Sequence, residues 1–200
     1  MPSKRTYRLK KRAADMAETR RRITEAAVDL HGSVGPARTT ISGVAERAGV
    51  QRATLYRHFP DEDALFVACS SHWMAQHPLP DPAGWAAIED PDERLRVALK
   101  ELYEWYERGE DMLEKTTRDV SLVPALRPSM AAFAGWLDVA ADALVRGRPG
   151  RGVHRRRSHG AIGHALTFET WRSLVREQRL SQPEAIDLMV GLVGVAGAEK

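Results

Sequence analysis

Apolar residues along the chain recur at helical spacing, and strand-like alternation is nowhere sustained. From Asp15 to Leu30, Ile23, Ala27 and Leu30 fall at i, i+4 and i+7, while Arg20, Arg21 and Arg22 spread around the helix. Gly32 and then Gly35-Pro36 end this element. Thr39 and Thr40 offer hydroxyls to cap a short helix over Ile41 to Ala48 that buries Ile41, Val44, Ala45 and Ala48, and Gly49 stops it. A third helix over Gln51 to Phe59 buries Leu55 and Phe59 and is closed by Pro60. Asp61 caps a fourth, which opens acidic as the helix dipole favours and runs to His77. Beyond the stiff break at Pro78, Pro80 and Pro82, the period predicts helices over Asp92 to Arg108, Glu110 to Leu122, Pro128 to Arg146, Arg155 to Gln178 and Ser181 to Val195. Between the third and fourth of these lies a basic, glycine-rich loop, Arg146 to Arg157.

The expected fold is therefore all-α with about nine helices, divided into a head that begins with three helices and a larger helical body. The boundaries fall at a basic N-terminal arm over residues 1–14, a head over 15–77 and a body over 78–200.

Thr40 to Phe59 reads TISGVAERAGVQRATLYRHF. Ala45 must be small where the second helix crosses, Gly49 supplies a left-handed turn residue, Val50 anchors the turn and Leu55 packs one helix on the other. An ordinary helix pair joined by a glycine turn satisfies each requirement singly. Together, and beside a basic flank, they point to DNA. Gly43, inside the second helix, costs roughly 1 kcal/mol relative to Ala, and the sequence offers no reason for it.

A recognition helix enters the major groove by its N-terminal end, which brings Gln51, Arg52, Ala53 and Thr54 towards base edges. Gln51 can pair with adenine, Arg52 with guanine, and the Ala53 methyl can meet a thymine methyl.

These residues also resemble a known family. The stretch from Thr19 to Cys69, with TTISGVAERAGV and TLYRHFPDEDALF, is similar to the DNA-binding domain of TetR-type transcriptional regulators. LKELYEWYERGEDMLEKTTRDVSLVPAL and FETWRSLVREQRLS are similar to C-terminal domains of one branch of that family. The resemblance implies a three-helix DNA-binding domain of helix-turn-helix type followed by a larger C-terminal helical domain for ligand binding and dimerisation, and a regulator, a repressor by default, released from a palindromic double-stranded operator by a small-molecule effector. It also implies that Thr40, Tyr56 and His58 hold phosphates, which fix register without reading sequence, and Thr39 is counted with them as a DNA-binding residue. Two positions depart from the family pattern. Gln51 replaces a Ser or Thr cap, so it either contacts a base or leaves the helix uncapped. Glu62 stands where a phosphate-binding lysine is common, and a carboxylate there repels phosphate. The arm, with Lys4, Arg5 and Arg8, is expected to be disordered alone and to enter the minor groove or follow phosphates; a merely solubilising tail is the alternative.

Net charge sharpens this division. Residues 1–60 hold 13 Lys/Arg against 5 Asp/Glu, residues 61–145 hold 7 against 17, and residues 146–200 hold 10 against 5. The overall +3 is thus a cancellation between a basic head, an acidic middle and a basic end. The end owes its charge to six arginines between Arg146 and Arg157, whose purpose the sequence leaves open.

The last helix is apolar on nearly every side, with Ile186, Leu188, Met189, Val190, Leu192, Val193 and Val195. It needs cover on more than one face, which a homodimer supplies; burial in the chain's own core is the alternative. In the resembling family the last two helices pair with their twofold mates, and Gly160, Gly163 and Ala165 suit close approach. Trp73, Tyr103, Tyr106, Met112, Trp136, Phe168 and Trp171 are candidate ligand-binding residues, lying where relatives bind effectors; plain core is the other reading.

No catalytic residue, cofactor or metal site is expected. His154, His159 and His164 recur every five residues, which spreads them around a helix, and no phosphate-binding glycine loop or nucleophile motif is present. A redox sensor using Cys69, a regulator independent of ligand and, more remotely, a helical enzyme are the competing functions. No apolar run is long enough to span a bilayer, Met1 to Arg12 does not read as a secretory leader, and the single cysteine suits a bacterial cytoplasmic, nucleoid-associated setting.

Overall fold

The computed structural model describes the backbone of residues 4–198 and the side chains of residues 7–198. Among these residues the chain forms ten α-helices and no strand. They belong to two compact units. The first comprises Met1–His77 with Asp111–Pro128, the second Pro78–Glu110 with Ser129–Lys200.

In the first unit, α1 (Lys4–Ser33) packs on α2 (Ile41–Arg47), α3 (Arg52–His58) and α4 (Glu62–Gln76). Ile23, Ala27, Val44, Ala45, Leu55, Phe59, Leu65 and Cys69 form the core between them. The stretch expected to be a disordered arm is helical from Lys4, because no glycine or proline interrupts it; its side chains from Tyr7 to Glu18 are all exposed. Further along α1, Arg21 bridges Glu18 and Glu25, at 2.6 Å each, on the solvent side. Such exposed pairs add little to stability, because water screens them.

Sequence and structure agree closely around the helix-turn-helix. The Thr40 hydroxyl oxygen accepts the Gly43 N–H at 3.1 Å and caps α2. Gly49, at φ +65°, turns the chain so that Val50 N–H reaches the Ala45 carbonyl at 2.9 Å. Asp61 caps α4 through the Ala64 N–H at 2.7 Å. Gly43 now has an explanation: a Cβ there would lie 3.3 Å from the Thr40 hydroxyl oxygen and 3.8 Å from Leu30 Cδ1. Glycine keeps room for the cap.

In the second half of the chain the elements differ from expectation. The two helices predicted on either side of Gly109 are one, α6 (Pro91–Asp119), 29 residues long. Gly109 is buried, and about 1 kcal/mol of lost propensity is small beside a stripe of buried Leu95, Leu99, Leu102, Tyr106 and Leu113. Ahead of α6 stands a single turn, α5 (Pro82–Trp85), and after it comes α7 (Arg127–Val145). The helix expected over Arg155 to Gln178 is broken into α8 (Gly152–Ala165), α9 (Phe168–Arg172) and a wide π-turn over Ser173–Glu177. Three side-chain hydrogen bonds account for the break. The Thr167 hydroxyl caps α9 by accepting the Thr170 N–H, and the Tyr103 and Tyr106 hydroxyls donate to the carbonyls of Ala165 (3.0 Å) and Leu166 (2.5 Å). The last helix, α10 (Gln182–Gly197), opens with a capping box between Ser181 and Glu184.

Arg94 is buried without a carboxylate partner and instead donates to the carbonyls of Ile88, Glu89 and Arg146 at 2.8–3.1 Å, tying the end of α7 to the start of α6. Of the six clustered arginines, Arg148 serves a similar purpose, donating to Asp92 at 2.7 Å and to the Pro91 carbonyl at 2.6 Å.

Candidate nucleic-acid interface

Leu55 and Phe59 turn one side of α3 into the core, which leaves Arg52, Ala53, Tyr56 and Arg57 on the opposite, exposed face with Gln51 just ahead of them. Arg57, whose direction the sequence leaves open, therefore shares the face of the predicted base readers. Thr54 is half-buried. Gln51 holds the N-cap position but its side chain makes no capping bond, so α3 starts uncapped and the carboxamide is not spent on its own backbone.

Among the predicted phosphate contacts, Thr40 is exposed and its hydroxyl proton remains available, since its oxygen is the atom that accepts from Gly43. The Thr39 hydroxyl is already committed, donating to the Gly35 carbonyl at 2.9 Å. Tyr56 is 42% exposed. His58 is half-buried; burial, and then the charges of Arg57 and Arg20, hold its ring below the usual histidine range, so at neutral pH it offers a neutral donor rather than a cation. Arg8 is exposed on α1, while the side chains of Lys4 and Arg5 lie outside the described residues.

Two arginines that the sequence analysis treats only as a charge run prove to brace this surface. Arg20 lies over the Phe59 ring at 4.0 Å and donates to the His58 carbonyl at 2.5 Å, so it holds the end of α3. Arg22 donates to the Ala48 carbonyl at the end of α2, where the helix dipole favours a cation. Arg47 is not an unpaired cation, because it pairs with Asp29 at 2.9 Å.

The candidate effector residues are divided between the units. Trp73, stacked on His77 at 4.5 Å, and the half-buried Met112 belong to the first. In the second, Tyr103, Tyr106, Phe168 and Trp171 are buried and pack on one another in tilted and edge-on contacts with ring centroids 5.4–6.3 Å apart. Burial raises both phenol pKa values further, so these hydroxyls stay protonated donors. Phe133 and a half-buried Trp136 extend the ladder outward, 6.0 Å apart. Trp171 Nε1 is buried and has no hydrogen-bond partner among the described residues.

Cys69 is 3% exposed, and burial pushes its thiol up to about 12. Such a thiol is a poor nucleophile. Alkylating reagent added to native protein is therefore expected to leave Cys69 largely unmodified and DNA binding unchanged; rapid modification with loss of binding would restore the redox reading. Among the described residues, no group of three His, Cys, Asp or Glu side chains is placed to hold a metal ion.

Residues 23–69 match the family model described as bacterial regulatory proteins, tetR family. Those residues are a DNA-binding domain of the TetR family of transcriptional regulators. Over 189 residues the chain is 26% identical to MftR of Mycobacterium tuberculosis, named as a candidate mycofactocin biosynthesis transcriptional regulator, covering 89% of this chain and 90% of that one. Its fold is similar to that of a TetR-like regulator from Rhodococcus sp. RHA1, at 19% identity and a TM-score of 0.62, covering 90% of this chain and 97% of that one. It is also similar to EbrR, a multidrug binding protein complexed with imidazole, at 26% identity and a TM-score of 0.52, covering 88% and 89%. The all-helical TetR fold and the DNA-binding helix-turn-helix are thereby placed in this chain. No helix among the described residues is long and apolar enough to cross a membrane.

Proposed function

We propose that this TetR-family regulator is a cytoplasmic, non-catalytic repressor that binds a palindromic operator as a homodimer and leaves it when a small molecule binds the second unit. The observation that carries the reading is the face of α3: Gln51, Arg52 and Ala53 stand exposed at its N-terminal end on a backbone fixed by a fully buried Leu55 and Phe59. In this reading those three residues, with Thr54, meet base edges. Thr40, Tyr56 and His58 meet phosphates, Thr39 braces the turn ahead of them through its bond to the Gly35 carbonyl, and Lys4, Arg5 and Arg8 extend the contact along α1.

Binding-site selection from random-sequence DNA tests this. A twofold-symmetric consensus bound about a thousandfold more tightly than random duplex is expected, and recovery of none overturns the reading. Arg52→Ala is expected to cost about 1–3 kcal/mol, roughly 5- to 150-fold in affinity, and to relax preference at one position of each half-site. A uniform loss over all sequences would make Arg52 a phosphate contact instead.

The homodimer is supported by α10. Ala185, Met189, Val190 and Val193 are buried against the chain's own helices, yet Leu188 (49%), Leu192 (43%) and Val195 (77%) remain exposed at i, i+4 and i+7, beside exposed Gly191 and Gly194. An apolar stripe with small residues alongside suits a second copy. Light scattering is expected to give twice the monomer mass, and Leu192→Glu to give the monomer; a monomeric wild type removes the dimer.

The effector is proposed to sit among Tyr103, Tyr106, Trp136, Phe168 and Trp171. The unpartnered indole N–H of Trp171 supports an acceptor-bearing aromatic or apolar ligand, and the name of EbrR, a multidrug binding protein, supports small-molecule binding on this fold.

A further inference from the structure

The turn that precedes the helix-turn-helix is gripped by a residue some eighty positions away. Asp119 is the last residue of α6, where a carboxylate is unfavourable for the helix it sits on, yet it is 1% exposed. Its partners explain it. Oδ2 accepts the Ala37 N–H at 2.9 Å, and the Arg118 guanidinium donates to Oδ1 at 2.7 Å and to Oδ2 at 3.0 Å. Arg118 Nη2 also reaches the Val34 carbonyl at 3.3 Å. Gly35, at φ +95°, faces this pair so closely that a Cβ would fall 2.6 Å from Asp119 Oδ2 and onto the Arg118 guanidinium. The turn and the carboxylate are built against each other.

From Ala37 the grip passes to Thr40 through a single tight turn. Arg38 N–H donates to Gly35, Thr39 N–H to Pro36 and the Thr39 hydroxyl to Gly35, all within 3.2 Å. Thr40 follows, capping α2 with its oxygen and presenting its proton outward.

We propose that Asp119 is a positioning residue for DNA binding: its carboxylate sets the Gly35–Thr40 turn and through it the place of the Thr40 hydroxyl on the phosphate backbone. The proposal rests on the DNA-binding reading of Thr40. It also makes residues 111–128 part of the DNA-binding machinery, which a head ending at residue 77 leaves out.

The test uses full-length Asp119→Ala, Asp119→Asn, Thr40→Ala and the double variant Thr40→Ala/Asp119→Ala, with the duplex that wild type selects from random DNA. Circular dichroism confirms folding and urea midpoints give stability. Asp119→Ala is expected to weaken binding at least tenfold, and Asp119→Asn, which keeps an acceptor for Ala37 but loses the charge facing Arg118, by less. In the double variant the loss of affinity is expected to be no greater than in the worse single variant, while the losses of stability add. A merely stabilising role predicts that the affinity losses multiply. That result overturns the proposal, as does wild-type affinity in folded Asp119→Ala and Asp119→Asn. Should wild type select no duplex, the DNA-binding reading itself fails and the proposal falls with it.

Discussion

Phe59→Ala is expected to remove about 3–5 kcal/mol from the DNA-binding unit, a large share of what a domain of this size possesses. Phe59 is fully buried among Ile23, Ala27, Val44 and Leu55, at the point where α3 ends and α4 is about to begin. Truncation loses the transfer energy of the ring, leaves a cavity that helices on three sides cannot close, and strips Arg20 of the surface it lies on at 4.0 Å. Arg20 then has less to hold it against the His58 carbonyl, so the end of α3 loosens as well. In calorimetry the transition of this unit is expected to fall by more than about 12 °C, with operator binding lost in parallel. Tyr56→Phe, three residues away on the exposed face, is expected to shift stability by less than about 0.5 kcal/mol and to show in DNA affinity alone. If Phe59→Ala instead left the transition unmoved while binding fell, Phe59 would be a contact residue and the assignment of the two faces of α3 would be reversed.

That contrast between faces is legible in the sequence, because the helix-turn-helix is specified by neighbours in sequence. Gly49 needs a left-handed φ, Thr40 needs a nearby N–H to cap, and Ala45 and Leu55 need one another. The rules that served there failed further along for an identifiable reason. Glycine stops a helix when the chain must adopt positive φ, as at Gly35 and Gly49, but Gly109 sits in a buried stripe whose packing outweighs its propensity. Conversely, the break at Leu166–Thr167 carries no glycine or proline. It is imposed partly by Thr167 and partly by Tyr103 and Tyr106, about sixty residues away. Asp119 was hidden in the same manner, since nothing near it names Ala37 as its partner. The candidate effector residues were illegible in a different sense: one aromatic pattern serves equally a packed core and a ligand wall, and the unpartnered Trp171 N–H is visible only in three dimensions.

Lowering the pH from 7 to 4 is expected to cost the first unit about 3 kcal/mol through one residue, His31. It lies in the last turn of α1, 5% exposed and stacked on Phe66 with the rings 4.8 Å apart and nearly parallel. Burial holds its pKa down, to about 4 from an ordinary 6.5. The sign follows from proton counting. Between those two values the unfolded chain binds a proton that the folded chain refuses, so stability is complete above about pH 6.5, falls by about 1.4 kcal/mol per pH unit below it, and levels off under about pH 4. Asp119 adds a loss of the same direction at lower pH, because Arg118 holds its carboxyl below the usual range and the folded state keeps it ionised. The two are separable. His31→Phe preserves the stack on Phe66 and removes its titration, so its urea midpoint is expected to fall clearly less between pH 7 and pH 5 than that of wild type, with His58, also held below the usual range, supplying the remainder. A wild-type midpoint that held steady over this range would mean that His31 is protonated in the fold and that the last turn of α1 is open to water.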